Sequence, residues 1–243
     1  MKLLIRAGKH ILCEKSFTTD AGQAAEIFKL AREKGVFVME GFWTKFLPVN
    51  RAVMQAVQEG KIGEVRTLTA QYGYKTARMA RKFDAELAGG TLLDIGVYAI
   101  GFACMMLGYS FDDVMSQMVM NEQGTDAAET IMLRKGKVLA QLTTIIGAEM
   151  PTHAAIYGTK GFIDVPDFKN PQKAVFYIEG EAPEEVVLPF DVNGFEYEIR
   201  EAMDCVRAGW LQSGLMNAEH TVAVMRIMDE IRRQNGLRFP FEK

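Results

Sequence analysis

The sequence predicts an α/β segment followed by a larger α+β domain that carries a sheet. Near the N-terminus, a short apolar run (residues 10–13), an amphipathic helical pattern (19–35) and a second apolar run (36–39) follow one another. This is the order of a βαβ unit, which builds parallel sheets. Beyond Pro48, most predicted elements are strands in which β-branched and aromatic residues mix with polar ones.

The first segment has clear boundary signals. Its first strand is bounded by Gly8 and by the polar turn Glu14-Lys15-Ser16. Its helix starts at the N-cap candidates Thr19 and Asp20 and ends at a glycine, residue 35. The second apolar run then completes the unit, so these residues are expected to form a small parallel sheet.

The second segment starts with a predicted helix at residues 51–59 and a strand at 65–72. An apolar helix is predicted at 91–107, and strands at 113–121, 129–133 and 138–146, of which the last two form a hairpin. Further strands are predicted at 152–157, 161–165 and 174–178, and closing helices at 196–206 and 218–234. The change in pattern near Pro48 predicts two domains, residues 1–47 and 48–243.

Composition narrows the function classes. The chain has 243 residues, of which 49% are hydrophobic and 24% charged, which is typical of a folded globular protein. A net charge of -3 provides no cationic excess for a phosphate backbone, so we expect a small-molecule partner and no nucleic acid. Three widely spaced cysteines indicate reduced thiols and no metal site. The apolar run 97–107 is shorter than the roughly 20 residues of a membrane span, so a cytoplasmic location without membrane association is expected.

Asp94 and Tyr98 are the first candidates for chemistry. They are four residues apart in a predicted helix and therefore share one face. A phenol near a lysine ammonium is drawn toward its ionised form and suits acid/base catalysis. In the alternative interpretation, Tyr98 donates to a carbonyl group and Asp94 bonds a backbone N–H, as buried polar groups commonly do. The spacing alone leaves both interpretations open.

Two predicted strand ends supply further candidates. Glu14 and Lys15 follow the first strand, where loops at the carboxyl ends of parallel strands line ligand crevices, although a solvated turn gives the same pattern. Trp43 and Lys45 follow the second strand; packing between domains is an alternative explanation for Trp43 and for its neighbour Phe46. The glycine pattern Gly-x-Gly-x-x-Gly of dinucleotide-binding turns does not occur in the chain.

Four motifs follow one another along the chain: Gly8-Lys-His-Ile-Leu-Cys-Glu-Lys15, Gly41-Phe-Trp-Thr-Lys-Phe-Leu-Pro48, Gly89-Gly-Thr-Leu-Leu-Asp-Ile-Gly-Val-Tyr98 and Met228-Asp-Glu-Ile-Arg-Arg-Gln-Asn-Gly-Leu-Arg-Phe-Pro240. Together they resemble the glucose-fructose oxidoreductase, inositol dehydrogenase and MocA-like (Gfo/Idh/MocA) family, nearest its dihydrodiol dehydrogenase and NADP-dependent xylose dehydrogenase branch. The resemblance covers essentially the whole chain in order.

The resemblance implies a fold and an activity. Residues 1–47 would be the C-terminal part of a Rossmann domain that binds NADP or NAD. Residues 48–243 would carry a large, open, mostly antiparallel sheet that forms the substrate pocket and a homodimer face. The implied reaction transfers a hydride between the nicotinamide and a sugar, polyol or diol. Lys15, Asp94 and Tyr98 would be catalytic, with Tyr98 as the acid/base and Lys15 lowering its pKa. Cofactor contacts are expected at Glu14, Lys15, Trp43 and Lys45, with Lys45 at a position where the family usually has arginine.

Two departures from the family pattern bear on activity. Ser16 replaces the proline of the family's Glu-Lys-Pro turn. Where that proline follows a cis peptide bond, a cis bond before serine would cost roughly 2.5 to 4 kcal/mol of free energy, or the turn would take a different shape. The chain also starts inside the family's nucleotide domain, so the complete cofactor site is expected to be missing and the activity impaired. The alternative is a non-catalytic dimerisation or ligand-binding module derived from the same family.

Overall fold

The computed structural model describes residues 1–75 and 80–242. Its first sheet has two parallel strands, β1 (Ile11–Glu14) and β2 (Val38–Gly41), preceded by the short helix α1 (Lys2–Arg6) and joined by α2 (Ala21–Glu33). Asp20 caps α2 by accepting a hydrogen bond from the backbone N–H of Gln23, and Gly35 follows the helix at a φ of 63°. The predicted βαβ unit is therefore confirmed.

The second sheet has eight strands in the order β10-β9-β8-β7-β3-β6-β5-β4. All neighbouring strands are antiparallel except β3 and β6, which are parallel. The hairpin predicted from the strands at 129–133 and 138–146 corresponds to β5 and β6, although β5 begins earlier than predicted. The strand β10 was not predicted. The strands are β3 (Val65–Tyr74), β4 (Asp113–Met120), β5 (Asp126–Lys135), β6 (Val138–Ile146), β7 (Met150–Gly158), β8 (Gly161–Pro166), β9 (Lys173–Ile178) and β10 (Glu184–Val187).

Among the residues that the structure describes, helices pack on one face of this sheet. The core helix α4 (Val97–Leu107) packs on β3 and β6, so that Leu68 and Leu142 are fully buried. The opposite face exposes large apolar side chains, including Met132, Leu139 and Tyr157. The remaining helices are α3 (Pro48–Gln58), α5 (Glu196–Arg207) and α6 (Ala218–Asn235). The observed architecture confirms the predicted fold class, a small parallel sheet followed by a large, open, mostly antiparallel one.

The predicted helix at 91–107 has two parts. Residues Leu92–Gly96 form a π-helical turn that leads directly into α4. The carboxylate of Asp126 accepts a hydrogen bond from the backbone N–H of Leu92 at 2.5 Å, and Thr91 donates to the Ala127 carbonyl at 2.8 Å, so the start of this turn is fixed to β5. Such π-helical turns occur frequently at functional sites.

The apolar segment that could be considered for a membrane span is longer than the run of residues 97–107 used in the sequence-based expectation. By length and composition, residues Ala85–Leu107 qualify as one candidate membrane-crossing segment, whereas the sequence-based expectation considered only 97–107. In the fold, 83% of its apolar window is buried inside the protein, as in a core helix.

Candidate functional site

The carboxyl end of β1 meets the π-helical turn that carries Asp94. Lys15 donates a hydrogen bond through Nζ to the backbone carbonyl of Asp94 at 2.5 Å, and the same nitrogen lies 3.6 Å from Asp94 Oδ1. The Lys15–Ser16 peptide bond is cis, and the Ser16 hydroxyl donates to the Leu93 carbonyl at 2.8 Å. Two consecutive residues after β1 are therefore tied to the segment that carries Asp94.

Asp94 is held by side chains on several sides. Its Oδ2 accepts hydrogen bonds from the Tyr74 hydroxyl and from Lys82 Nζ, both at 2.7 Å. Burial works to raise the pKa of Asp94, but the hydrogen bonds from Lys82 and Tyr74 and the charges of Lys15 and Lys82 outweigh it and hold the pKa below its ordinary value. Asp94 is thus an ionised anchor for two ammonium groups. No backbone N–H of residues 1–75 or 80–242 donates to its carboxylate, in contrast to the alternative interpretation.

Tyr98 lies one turn beyond Asp94, and Lys15 contacts both. The Lys15 ammonium is 4.8 Å from the centroid of the Tyr98 ring, which also packs on Phe42 at 5.8 Å and on Tyr72 at 6.3 Å. Within residues 1–75 and 80–242, the Tyr98 hydroxyl donates to no carbonyl group. Burial raises the pKa of Tyr98. The net shift of the Tyr98 pKa is therefore upward, and the lowering expected from Lys15 is not the net effect, because desolvation of the phenolate dominates.

Four further side chains complete the cluster. Tyr72 and Tyr74 lie two residues apart on β3, a spacing that places both side chains on one face of the strand. This spacing is the sequence signal that could have identified them as neighbours. Lys82 lies in the 3-10 helix Ala80–Phe83 and donates to the Tyr74 hydroxyl as well as to Asp94. Lys169 lies in the loop between β8 and β9, with Nζ 3.5 Å from the Tyr72 hydroxyl. No periodic pattern marks either lysine, because Lys82 lies in a single short 3-10 turn and Lys169 lies in a loop.

The other predicted cofactor residues differ in placement. Glu14 is exposed beside Lys15. Trp43 stacks on Phe195 at 4.5 Å, and its indole nitrogen is buried without a hydrogen-bond partner in the described part of the chain.

Lys45 does not join the cluster. Its ammonium donates to the Tyr109 hydroxyl at 2.7 Å and lies 3.1 Å from His220 Nδ1. Burial lowers the pKa of Lys45 to about 8. The 3-10 helix Trp43–Lys45 directs neighbouring side chains to different sides, so Lys45 lies away from the cluster and its contact with the cofactor stays a prediction.

Two buried carboxyl groups lie behind the strand ends. Glu40, on β2, accepts hydrogen bonds from the Phe17 backbone N–H at 3.2 Å and from the Thr221 hydroxyl at 2.8 Å, and burial raises its pKa to about 7. Glu198, on α5, is only 2% exposed, and its Oε2 has no partner among the described residues. Burial, with the nearby charges of Glu14 and Glu40, raises the pKa of Glu198 to about 8.

Replacing Glu198 by glutamine is expected to stabilise the chain above neutral pH. The folded pKa of Glu198 lies above its unfolded value, so its stabilising effect is complete below the unfolded pKa and is lost as the pH rises through about 8. The uncharged Glu198→Gln variant should gain up to about 4 kcal/mol over the native chain between about pH 5 and 9, because about three pH units separate pH 5 from the folded pKa. Thermal unfolding at both pH values measures this gain, with the exposed Glu179→Gln as control. If the difference in the free energy of unfolding between Glu198→Gln and the native chain does not change with pH, the expectation is contradicted.

Comparisons with known proteins agree with this geometry. Residues 1–42 match the model described as oxidoreductase family, NAD-binding Rossmann fold, and residues 50–164 match the GFO/IDH/MocA C-terminal domain. The chain is 32% identical over 248 residues to trans-1,2-dihydrobenzene-1,2-diol dehydrogenase of Xenopus tropicalis, covering 98% of this chain and 74% of that protein. It is 30% identical over 252 residues to the enzyme of the same name from Homo sapiens, covering 99% and 75%.

Solved structures show the same architecture. The 3-ketoreductase KijD10 from Actinomadura kijaniata, in complex with NADP and TDP-benzene, superimposes with a TM-score of 0.85 at 28% identity, covering 96% of this chain and 73% of that one. The aldose-aldose oxidoreductase from Caulobacter crescentus, complexed with glycerol, has a TM-score of 0.86 at 20% identity over 96% and 72% of the two chains, which shows the fold alone.

Proposed function

This chain belongs to the GFO/IDH/MocA oxidoreductase family, and on that premise we propose that it transfers a hydride between NADP and a sugar, polyol or diol. The observation that carries the proposal is the cluster of Lys15, Asp94 and Tyr98 at the meeting point of the two sheets. A phenol that keeps its proton, next to a fixed ammonium group, suits the proton step that accompanies hydride transfer. Relatives named for diol and ketone substrates support this substrate range.

The protein side chains handle the proton. In the reducing direction, Tyr98 gives its hydroxyl proton to the substrate carbonyl oxygen while the carbonyl carbon receives the hydride. In the oxidising direction, the substrate hydroxyl returns that proton to the ionised Tyr98. The Lys15 ammonium, 4.8 Å from the ring, stabilises the phenolate that exists between these events. Asp94 fixes the position of Lys15, so it acts as a positioning residue.

The described residues fit the reacting end of a nicotinamide cofactor. The indole N–H of Trp43 is a buried donor that lies near enough to the Tyr98 oxygen to work against the rise of its pKa but forms no hydrogen bond of ordinary geometry with a described residue, and Lys15 supplies a second donor at the end of β1. A nicotinamide carboxamide or ribose oxygen would satisfy both, so we propose Trp43, Lys15 and the adjoining Glu14 as the residues that hold this end. The bound cofactor supplies or accepts the hydride.

A turnover assay with the purified chain tests the proposed function. We expect NADPH to form from NADP when a trans-dihydrodiol, D-xylose or D-glucose is offered, and we expect Lys15→Met to abolish this formation. The fluorescence of NADPH measures the reaction, and circular dichroism verifies that the variant is folded. A folded native chain that reduces NADP with none of these substrates, and oxidises NADPH with none of the matching carbonyl compounds, would contradict the proposal.

We also propose that residues 1–47 serve the cofactor and that residues 48–243 bind the substrate and pair two chains through the uncovered sheet face. Leu139, Thr67 and Tyr157 are neighbours across three strands of that face, and two of them are exposed large apolar side chains. Apolar surface of this kind is commonly covered by a partner. A solution mass equal to one chain would contradict the homodimer.

A further inference from the structure

We infer that the substrate of this site carries an anionic group, a carboxylate or a phosphate, and that Lys169 binds that group. The inference rests on the proposed function and narrows its substrate class. Three independent features support it: the position of the Lys169 ammonium, the way its loop is anchored, and the balance of charge in the cluster.

Lys169 reaches the reacting tyrosine from the loop between β8 and β9, whereas Lys15 reaches it from the end of β1. Its Nζ lies 3.5 Å from the Tyr72 hydroxyl, 5.2 Å from the centroid of the Tyr72 ring and 6.0 Å from that of Tyr98. Lys15 approaches the same Tyr98 ring at 4.8 Å. Across residues 1–75 and 80–242, no carboxylate lies within 4.0 Å of the Lys169 ammonium. The ammonium is therefore available to a ligand that reaches Tyr98.

The loop that carries Lys169 is held in place by buried polar side chains. Asn50 donates through Nδ2 to the Phe168 carbonyl at 3.0 Å and to the Thr44 carbonyl at 2.9 Å. The Thr44 hydroxyl in turn donates to the Lys169 carbonyl at 2.8 Å. The Asn50, Thr44 and Phe168 side chains are fully buried. The backbone of Lys169 is thus positioned before any ligand arrives, which reduces the entropy that binding would cost.

The cluster has more cationic than anionic groups. Asp94 is one carboxylate among three ammonium groups, those of Lys15, Lys82 and Lys169, and its oxygens are already engaged by Lys82 and Lys15. Burial is the main cause that lowers the pKa of both Lys15 and Lys169, and the charge of Lys82 lowers each of them further. Three other carboxylates that act on the cluster are exposed to solvent, which screens them: Glu14, Glu149 and Asp167. The buried Glu40 also interacts with Lys15, but burial raises its pKa to about 7, so its negative charge is only partial at neutral pH.

An anionic substrate would use this surplus. Its reacting carbon would lie at the Tyr98 hydroxyl, and its carboxylate or phosphate would accept hydrogen bonds from Lys169 and the Tyr72 hydroxyl. The charged group must then sit on a different carbon from the reacting one, as in a uronic acid or a sugar phosphate. A neutral sugar would leave the ammonium of Lys169 without a charged partner.

The test compares sugars that differ mainly in charge. We expect kcat/KM with NADP to be at least tenfold higher for D-glucuronate or D-glucose 6-phosphate than for D-glucose, and the better of the two identifies the anionic group. Lys169→Gln should lower this preference at least tenfold, and Lys169→Arg should restore most of it. The exposed Lys137→Gln serves as control and should leave the preference and the turnover unchanged.

Equal kcat/KM for charged and neutral sugars in the native chain, or an unchanged preference in Lys169→Gln, would overturn the inference. Ligand-observed NMR with glucuronate and glucose 6-phosphate separates this failure from that of the proposed function. Binding that depends on Lys169 without turnover supports the inference and counts against the oxidoreductase activity of this chain. Absence of binding for both ligands overturns the inference, whatever the turnover of neutral sugars.

Discussion

Tyr98→Phe is expected to lower kcat by about a hundredfold or more, because it removes the group that exchanges a proton with the substrate oxygen. The change deletes one oxygen atom and keeps the ring, so packing on Phe42 and Tyr72 should persist. The measurement is steady-state turnover with NADP and the best substrate of the native chain. Tyr197→Phe, on α5 and outside both the cluster and the uncovered sheet face, is the matched control and should turn over normally.

The pH dependence gives this prediction a second test. The raised pKa of Tyr98 means that the phenol keeps its proton at neutral pH. Reduction, which needs the protonated form, should therefore vary little with pH, whereas oxidation, which needs the phenolate, should speed up as the pH rises. The rise should be absent from the residual activity of Tyr98→Phe. Near-normal turnover in that variant, or an unaltered pH profile, would remove Tyr98 from the acid/base role.

Gly89→Ala is expected to reduce both stability and activity. A Cβ at position 89 would lie 2.7 Å from the Arg81 carbonyl oxygen and 2.8 Å from the carbonyl carbon and oxygen of Lys82. These are backbone atoms that cannot rotate away, and the Lys82 carbonyl also accepts the hydrogen bond of the Gly90 N–H at 2.8 Å. Overpacking of this kind costs about 2 kcal/mol, which corresponds to a Tm lower by roughly 4–8 °C.

Activity should fall with stability in this variant, because a displaced Lys82 loses its ion pair with Asp94. We expect kcat/KM to decrease about tenfold, as positioning effects of this type allow. Thermal unfolding and steady-state kinetics measure the two effects. Gly214→Ala is the control, since a Cβ there meets no atom within 4 Å. A Gly89→Ala variant with native Tm and native kcat/KM would show that the close approach of these backbones is not required.

The regular elements were predictable from the sequence because their signals are local. Hydrophobic runs of strand length around the α2 pattern identified the βαβ unit, and Asp20 caps its helix as proposed. The hairpin of β5 and β6 followed from two strand patterns separated by a short polar turn. The spacing of Asp94 and Tyr98 predicted that these two residues share one face, and the family resemblance joined Lys15 to them; the structure brings all three together.

The surroundings of those residues were decided by the tertiary structure. Lys82 reaches the cluster from a short 3-10 turn and Lys169 from a loop, with no periodic pattern to mark them. Lys45 is directed to Tyr109 and His220 instead. The pKa of Tyr98 is raised although a lysine lies beside it. The segments packed around the ring exclude water from the phenolate, and this desolvation is the largest effect on the pKa. By itself, the sequence determined the elements and the chemical types of the three residues. Their partners, charge balance and protonation required the fold, since these depend on contacts between residues far apart in the chain.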